Sequence, residues 1–282
     1  MDNPIDELLA VLSLDEHSNS TFTGPGSGHG EFGLFGGHQL AQAVIAAYRS
    51  VDAERRLNSL HAFFLRGGDG HQSVTYEVEN IRDGRAFCQR RVNGIQNDKQ
   101  IFDLTASFHT PESGSGEINP AWPQGVQPPE SLPTFEECME EVGPIFGEEW
   151  SEGARPVEYR IEHAPWAPNG PSEQGGINFW FRARQSLPDD PKTHAAILAY
   201  MSDDCVADTL LVPYGRTWGT EGTMLVSLDH SMWFHSDARV DDWIYVEQWP
   251  VAASGARGLA QARMWQNEQL VVSVAQEALT RF

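Results

Sequence analysis

The sequence predicts an α+β protein of two tandem units, each a long helix wrapped by a curved antiparallel sheet. Three observations carry this expectation. One helix followed by strands occurs twice along the 282 residues. Both halves hold a hairpin turning at Gln-Asn: Arg90-Arg91-Val92-Asn93-Gly94-Ile95-Gln96-Asn97 ahead of Ile101-Phe102, and Ala262-Arg263-Met264-Trp265-Gln266-Asn267 ahead of Leu270-Val271. A stretch rich in Pro, Gly and Ser, then in Glu, separates the halves. A tandem duplication accounts for all three, with residues 1–110 as the first unit, 111–154 as the linker and 155–282 as the second.

In chain order, Ile5, Leu8, Leu9, Val11, Leu12 and Leu14 give a short amphipathic helix. A Gly-rich stretch from Gly24 to Gly33 follows. It contains G-x-G-x-x-G at Gly28, Gly30 and Gly33, but a mostly polar His17–Thr23 segment precedes it where a dinucleotide fingerprint needs a hydrophobic strand. It reads as a loop. Phe35-Gly36-Gly37-His38 opens a helix on which Leu40, Ala43, Val44, Ala47, Tyr48 and Val51 recur at helical spacing, with an Ala-rich inner face suited to a sheet. Strands follow at Leu60–Leu65, Val74–Ile81, Ala86–Ile95 and Gln100–Phe108. The Glu-rich run over 136–152 reads as a solvated surface helix. Val157–Ile161 and Ile177–Arg184 are strands, and Asp190-Pro191 supplies an N-cap and first-turn proline for a helix running to about Asp203. Strands at 223–235, Ile244–Pro250, Arg257–Trp265 and Gln269–Leu279 complete the second half.

Composition excludes several function classes. A formal charge of −21 disfavours nucleic acid and anionic membrane surfaces, which call for basic patches. The longest apolar runs are too short to span a bilayer, and the Met1-Asp2-Asn3-Pro4 start lacks the features of a signal peptide. Cys88, Cys138 and Cys205 are too widely spaced for a zinc site or a disulfide framework, so a reduced, cytoplasmic protein without metal is expected. Walker A, H-E-x-x-H and G-x-S-x-G motifs do not occur.

The segment Leu225–His235 concentrates polar groups. It alternates like a half-buried strand, with Met224, Val226 and Leu228 facing one way and Leu225, Ser227 and Asp229 the other. It then carries His230, Ser231, Trp233 and His235. Buried polar groups must each find a partner, so the segment is either an edge strand with a solvated face or part of a site.

Phe35-Gly36-Gly37-x-Gln39-x-x-Gln42-Ala43, Phe64-Leu65-Arg66-x-Gly68-Asp69 and Arg82-Asp83-Gly84-Arg85-x-Phe87-x-x-Arg90-Arg91-Val92 resemble the acyl-CoA thioesterase II (TesB-type) family. So do Tyr200-x-Ser202-Asp203, Leu228–His235 and Gln276-Glu277. The Asp229-His230-Ser231-Met232-Trp233-Phe234-His235 run is the most specific of these, and the likeness extends from about residue 20 to the end of the chain. The resemblance implies a double hotdog fold and hydrolysis of acyl-CoA thioesters by a bound water, with no cofactor. It also implies a homodimer or higher homo-oligomer.

By that resemblance the water is held by Asp203, by Ser227 (where many relatives have Thr) and by Gln276. Asp203 ends a helix on its inner side, where the dipole and partial desolvation disfavour the charged form, as a general base wants. The other reading is a solvated C-terminal acid. Gln276 closes the apolar row Leu270, Val272, Val274, either satisfied by backbone or aimed at a ligand. Gly37 and His38, at a helix N-terminus after glycine, are the candidate oxyanion donors. Arg66, Arg85, Arg90, Arg91, Arg257 and Arg263 are candidates for the CoA phosphates, several expected to pair with local acids instead. His230 and His235 are expected to orient neighbours or line a subunit interface. A hotdog dehydratase and a non-catalytic acyl-CoA or apolar-ligand binder are the alternatives. The first is disfavoured because His38 has no Asp five residues before it, the second because Asp203, Ser227 and Gln276 are all kept. Ala106 falls where Gln276 does when the Gln-Asn turns are aligned, which implies one active site per chain.

Overall fold

The computed structural model describes residues 4–27, 33–112, 114, 116, 118–142 and 157–282. Gly28 and Gly30 of the Gly-rich stretch, and residues 143–154 of the expected linker and acidic helix, lie outside the described residues. The elements run α1 (Pro4–Val11), β1 (Asp15–Ser18), β2 (Thr21–Gly24), α2 (Gly36–Tyr48), β3 (Arg56–Phe64), β4 (Val74–Asp83), β5 (Phe87–Gln96), β6 (Lys99–His109) and α3 (Phe135–Val142). They continue β7 (Val157–His163), β8 (Asn178–Ala183), α4 (Pro191–Ser202), β9 (Met224–Ser227), β10 (Asp229–Phe234), β11 (Ile244–Ser254), β12 (Arg257–Gln266) and β13 (Gln269–Arg281). The fold is α+β, with helix-and-sheet units in tandem. No described helix is long and apolar enough to cross a membrane.

The chain divides into two compact units that are discontinuous in sequence. The first comprises residues 1–118, 188–204 and 228–238. Its antiparallel strands lie in the order β1-β2-β4-β5-β6-β3-β10. Val74, Tyr76, Leu104, Ala106 and Phe108 alternate inward. Contrary to the one-faced helix expected from its spacing, α2 is buried from Gly37 to Val44 and from Ala46 to Tyr48, because it packs on the sheet and also against α4. Small side chains make the second contact possible: Ala43, Ala46 and Ala47 on α2, and Ala195, Ala196 and Ala199 on α4, are all buried. Two polar side chains on α2, His38 and Gln42, are held by the N-terminal segment. Gln42 Nε2 donates to the carbonyls of Val11 (2.9 Å) and Pro25 (3.0 Å) and its Oε1 accepts from Tyr76 Oη (2.9 Å). Helix α4 starts where Asp190-Pro191 places it: the Asp190 carboxylate accepts from the N–H groups of Lys192 and Thr193.

The second unit comprises residues 119–187, 205–227 and 239–282. Its strands lie in the order β9-β13-β12-β11-β8-β7. Phe179, Phe181, Tyr245 and Trp265 fill its core, and Trp122 from the Pro-rich stretch stacks edge-on to Trp265 at 5.6 Å. The acidic run begins as a helix, with Glu136, Glu137 and Glu140 exposed and Phe135 and Cys138 buried. Its start is a capping box, with the Thr134 N–H donating to Glu137 Oε2 (2.8 Å) and the Glu137 N–H to Thr134 Oγ1 (3.1 Å).

The duplication is explicit in both units. Asn97-Asp98 and Asn267-Glu268 all have positive φ, the signature of type I′ hairpin turns. Gln96 clamps Asp69 by a pair of hydrogen bonds through its N–H (2.8 Å) and carbonyl (2.9 Å). Gln266 does the same to Arg239 (2.9 and 2.7 Å). One sequence interval separates Asp69 from Arg239, Gln96 from Gln266, and the starts of β4, β5 and β6 from those of β11, β12 and β13. The repeat therefore runs without insertion or deletion from the Asp69 clamp to the end of β6.

The 223–235 segment, expected as one strand, is two. It breaks at Leu228, whose carbonyl accepts from the Phe64 N–H (3.0 Å), and β9 pairs with β13 whereas β10 pairs with β3. Met224 and Val226, which the alternation puts on one side, are exposed.

Candidate active site

The candidate residues fall into two clusters, one in each unit. In the first unit, the last turn of α4 meets the first turn of α2 so closely that only glycine fits. A Cβ on Gly36 would lie 2.5 Å from Asp203 Oδ2 and 2.8 Å from the Phe64 ring, and one on Gly37 would collide with the Tyr200 carbonyl oxygen and the Phe35 ring. Phe35 and Tyr200 stack edge to face at 5.2 Å across this contact. The approach delivers the Gly37 N–H to Asp203 Oδ2 at 2.9 Å. Asp203 is the C-cap of α4, and its side chain is only 5% exposed. Its own helix terminus disfavours a negative charge, as expected, but the facing N-terminus of α2 supplies an N–H that favours it.

His230 on β10 is buried behind the same carboxylate. Its Nδ1 lies 3.8 Å from Asp203 Oδ1 and its Nε2 2.8 Å from Ser202 Oγ. Ser202 Oγ also donates to the Ala199 carbonyl at 2.8 Å.

In the second unit, Gln276 is fully buried on β13 between Val274 and Ala278 of the same inward row. Its register partner across the ladder is Ala260, whose small side chain leaves the amide room. Gln276 Nε2 donates to Ser227 Oγ at 2.8 Å. Because Gln276 supplies that hydrogen, the serine keeps its own O–H to donate.

The remaining candidates are placed as follows. The Gly37 N–H is directed at Asp203 and not toward an open oxyanion position. His38 is buried with Nε2 donating to the Pro25 carbonyl at 2.8 Å. Burial lowers the His38 pKa, partly opposed by that bond. In this structure the two groups expected as oxyanion donors thus hold partners within the fold. Arg90 is buried, with its guanidinium on Ser50 Oγ (2.9 Å), the Ser50 carbonyl (2.9 Å), Asp83 Oδ1 (2.7 Å) and the carbonyls of Arg82 and Gln89. That leaves no face for a phosphate. Arg91 and Arg263 pair with Asp103 and Glu247, and Arg257 with Glu277 at 3.1 Å. Arg66 is exposed and donates to the Gln100 carbonyl.

The repeat gives each site residue a counterpart. The interval that relates Gln96 to Gln266 relates Leu57 to Ser227, Leu60 to His230 and Ala106 to Gln276. Register agrees, since Leu57 pairs with Phe108 and Ser227 with Ala278. On the helices, Ala47-Tyr48-Arg49-Ser50-Val51 matches Ala199-Tyr200-Met201-Ser202-Asp203, so Val51 stands for Asp203. Four polar positions in the second half are thus apolar in the first. Sequence reasoning paired only Ala106 with Gln276; His230, kept there as an unassigned orienting group, is the member it did not connect to Asp203. The matching Ala-Tyr-x-Ser segments were a usable signal.

Two family models match the chain: an acyl-CoA thioesterase N-terminal domain over residues 25–109 and an acyl-CoA thioesterase over 152–279. Acyl-CoA thioesterase 2 of Haemophilus influenzae is 32% identical over 100% of this chain and 99% of its own length. Acyl-coenzyme A thioesterase 8 of the mouse, Mus musculus, is 34% identical over 88% of this chain and 80% of its own. Among solved structures, the acyl-CoA thioesterase II TesB2 of Mycobacterium marinum superposes with a TM-score of 0.79. It is 33% identical and covers 99% of this chain and 98% of its own.

Proposed function

The chain belongs to the acyl-CoA thioesterase family, with its double hotdog architecture, and from that premise we propose that it hydrolyses fatty acyl-CoA to free fatty acid and CoA with water as the nucleophile. Asp203 takes a proton from the water, whose oxygen forms a bond to the thioester carbonyl carbon. Ser227, offering its O–H, and Gln276, bonded to it, fix the position of that water. Collapse of the tetrahedral intermediate breaks the C–S bond, and the proton on Asp203 passes to the departing thiolate. A thiolate is a good leaving group, so no separate strong acid is needed. No metal or cofactor enters the scheme.

The observation that carries this reading is the one-sidedness of the repeat. Asp203, Ser227 and Gln276 replace Val51, Leu57 and Ala106, and a polar set present in only one of two copies, with the Asp203 and Gln276 side chains buried and Ser227 half-buried, argues for chemistry over architecture. Arg66 and Arg257, both exposed residues, are the proposed contacts for the CoA phosphates, and Arg90 is given a structural role. Assembly as a homodimer or higher homo-oligomer is part of the same proposal.

The test is release of CoA thiol from a chain-length panel of acyl-CoAs, wild type beside Asp203→Asn. A fall in kcat of about 10²-fold or more is expected. Wild-type turnover untouched by the substitution would remove Asp203 as the base. Binding of acyl-CoA without turnover would turn the reading toward a binding protein.

A further inference from the structure

We infer that a cavity of about 210 Å³ in the first unit is a binding site for a short-chain carboxylate. Every residue that lines it belongs to that unit, and none of them is part of the proposed catalytic set. The inference is drawn from the cavity alone and goes beyond the thioesterase reading. Only the kinship of the ligand with the acid product rests on that reading.

The cavity lies where the end of α2 and the first turns of α4 meet the start of β3 and the ends of β6 and β10. Leu57, Leu198 and Phe234 give it apolar walls, and Tyr48, Arg56 and His109 bring polar groups with hydrogens left to donate. Tyr48 is buried, and its Oη accepts from the Leu57 N–H at 2.9 Å, so its own hydrogen has no acceptor among the described residues. Burial pushes the phenol pKa up to about 12, which keeps that hydrogen in place at neutral pH. His109 Nδ1 is buried without a hydrogen-bond partner among the described residues, and an imidazole carries at least one N–H in either tautomer. Arg56 donates through Nε to Asp237 Oδ2 at 3.3 Å and through Nη1 to the carbonyls of Glu54 (3.3 Å) and Arg55 (3.5 Å). Its Nη2 has no partner among the described residues. Three donors beside an apolar wall match a planar monoanion with a hydrocarbon tail. A guanidinium already shared with Asp237 does not balance the second charge of a phosphate. A cavity of about 150 Å³ takes benzene, so this one, at about 210 Å³, takes roughly eight heavy atoms, the size of hexanoate.

The repeat supports a use for these groups. The interval that relates Leu57 to Ser227 relates Arg56 to Val226 and His109 to Leu279. Register agrees, since Arg56 pairs with His109 and Val226 with Leu279. Tyr48 and Phe234 likewise answer to Tyr200 and Phe64, both of which lie against the Gly36-Gly37 turn. Polarity is exchanged between the two places. Leu57 stands where the second half has Ser227, whereas Arg56 and His109 stand where it has Val226 and Leu279. The first half thus lacks the groups proposed to hold water and has donors that its own fold does not use. A buried polar atom without a partner costs stability, and a ligand that accepts from these donors offsets that cost.

The test is calorimetric titration of hexanoate into the whole protein near neutral pH, with 1-hexanol as the probe that lacks the carboxylate. A saturable site with Kd on the order of 1 mM or tighter is expected for a ligand of this size. Hexanol should bind about tenfold more weakly or worse. Tyr48→Phe and His109→Leu should each raise the hexanoate Kd about tenfold or more, the worth of a hydrogen bond to a charged group. His109→Leu takes the residue type found at Leu279 and leaves no partner behind, so its melting temperature without ligand should be kept or raised. Asp203→Asn should bind hexanoate as the wild type does. Absence of binding to the wild type, equal binding of hexanol, or a Kd unchanged by His109→Leu would overturn the inference. So would binding abolished by Asp203→Asn, which would move the acid to the catalytic cluster. Should Tyr48→Phe not fold, for want of an acceptor for the Leu57 N–H, His109→Leu decides. The titration involves no turnover. A protein that hydrolyses acyl-CoA but ignores hexanoate refutes the site alone, and one that binds hexanoate but releases no CoA refutes the thioesterase reading alone.

Discussion

Replacing Gly36 by alanine probes the contact that holds Asp203. The added Cβ would sit 2.5 Å from Asp203 Oδ2 and 2.8 Å from the Phe64 ring. Ordinary van der Waals contact begins roughly 0.9 Å farther out than the first distance, so the carboxylate, the ring or the start of α2 must move by nearly that much. In a helix interior the exchange would gain up to about 1 kcal/mol of propensity, less in the first turn. Overpacking typically costs about 1–3 kcal/mol, so a net loss of stability of at most about 3 kcal/mol is expected. The effect on rate should be larger. A shift of about 1 Å lengthens the 2.9 Å bond from the Gly37 N–H beyond hydrogen-bond range. Misplacing a reacting group by about that distance can cost about 10²-fold. Turnover of a medium-chain acyl-CoA by Gly36→Ala should accordingly fall about 30- to 100-fold, with the folded state retained in a thermal melt. Gly67→Ala serves as control, because a Cβ there meets nothing within 4 Å. Gly36→Ala with kcat within about threefold of wild type would refute the reasoning, since the carboxylate would then tolerate displacement or not be the base.

Two further predictions concern residues assigned to the scaffold. The folded pKa of His38 lies below its ordinary 6.5, through burial first, so its stabilising contribution is complete above 6.5 and is lost as pH falls below 6.5 toward the folded value. His38→Gln, which keeps an N–H for the Pro25 carbonyl, should flatten the fall in urea midpoint between about pH 7.5 and pH 5.5; an unchanged slope counts against the assignment. Arg90→Leu removes a buried hub but leaves no buried charge, because the Asp83 side chain is 60% exposed. A loss of about 1–3 kcal/mol from the orphaned Ser50 and carbonyl partners is expected. KM for acyl-CoA should not change, and a rise in KM of about tenfold without loss of stability would restore Arg90 as a phosphate contact.

Much of the scaffold is legible in the sequence because it is set by local pattern. The Gln-Asn hairpins, the alternation in β4 and β6 and the Asp190-Pro191 start of α4 depend on residues adjacent in the chain. The β1–β2 hairpin is not legible: β1 is exposed throughout, and only Phe22 marks β2 as facing the core. The break at Leu228 is hidden because alternation continues through it while the pairing partner changes. At the candidate site, the motif marks Asp203 but not its environment. A carboxylate at a helix C-terminus reads as disfavoured, and the compensating N–H comes from a residue 166 positions away. Gly36-Gly37 was the trace of that approach in the sequence, readable only once α2 and α4 are known to touch.

Helix capping explains why the two halves diverged where they did. Helix α4 carries its own cap, Asp190, which binds the N–H groups of its first turn. Helix α2 has Phe35 at that position, with no side-chain cap, and the N–H of Gly37 is satisfied instead by Asp203 from the end of α4. Asp203 thus fills a structural vacancy that has no equivalent at the start of α4, and its counterpart Val51 has no first turn to cap. A carboxylate held this way has one oxygen fixed, so the bond that stabilises α2 also orients the proposed base. Asparagine at 203 retains an acceptor for the Gly37 N–H but loses the basicity. It therefore separates the chemical role of the residue from its structural one, which alanine would not.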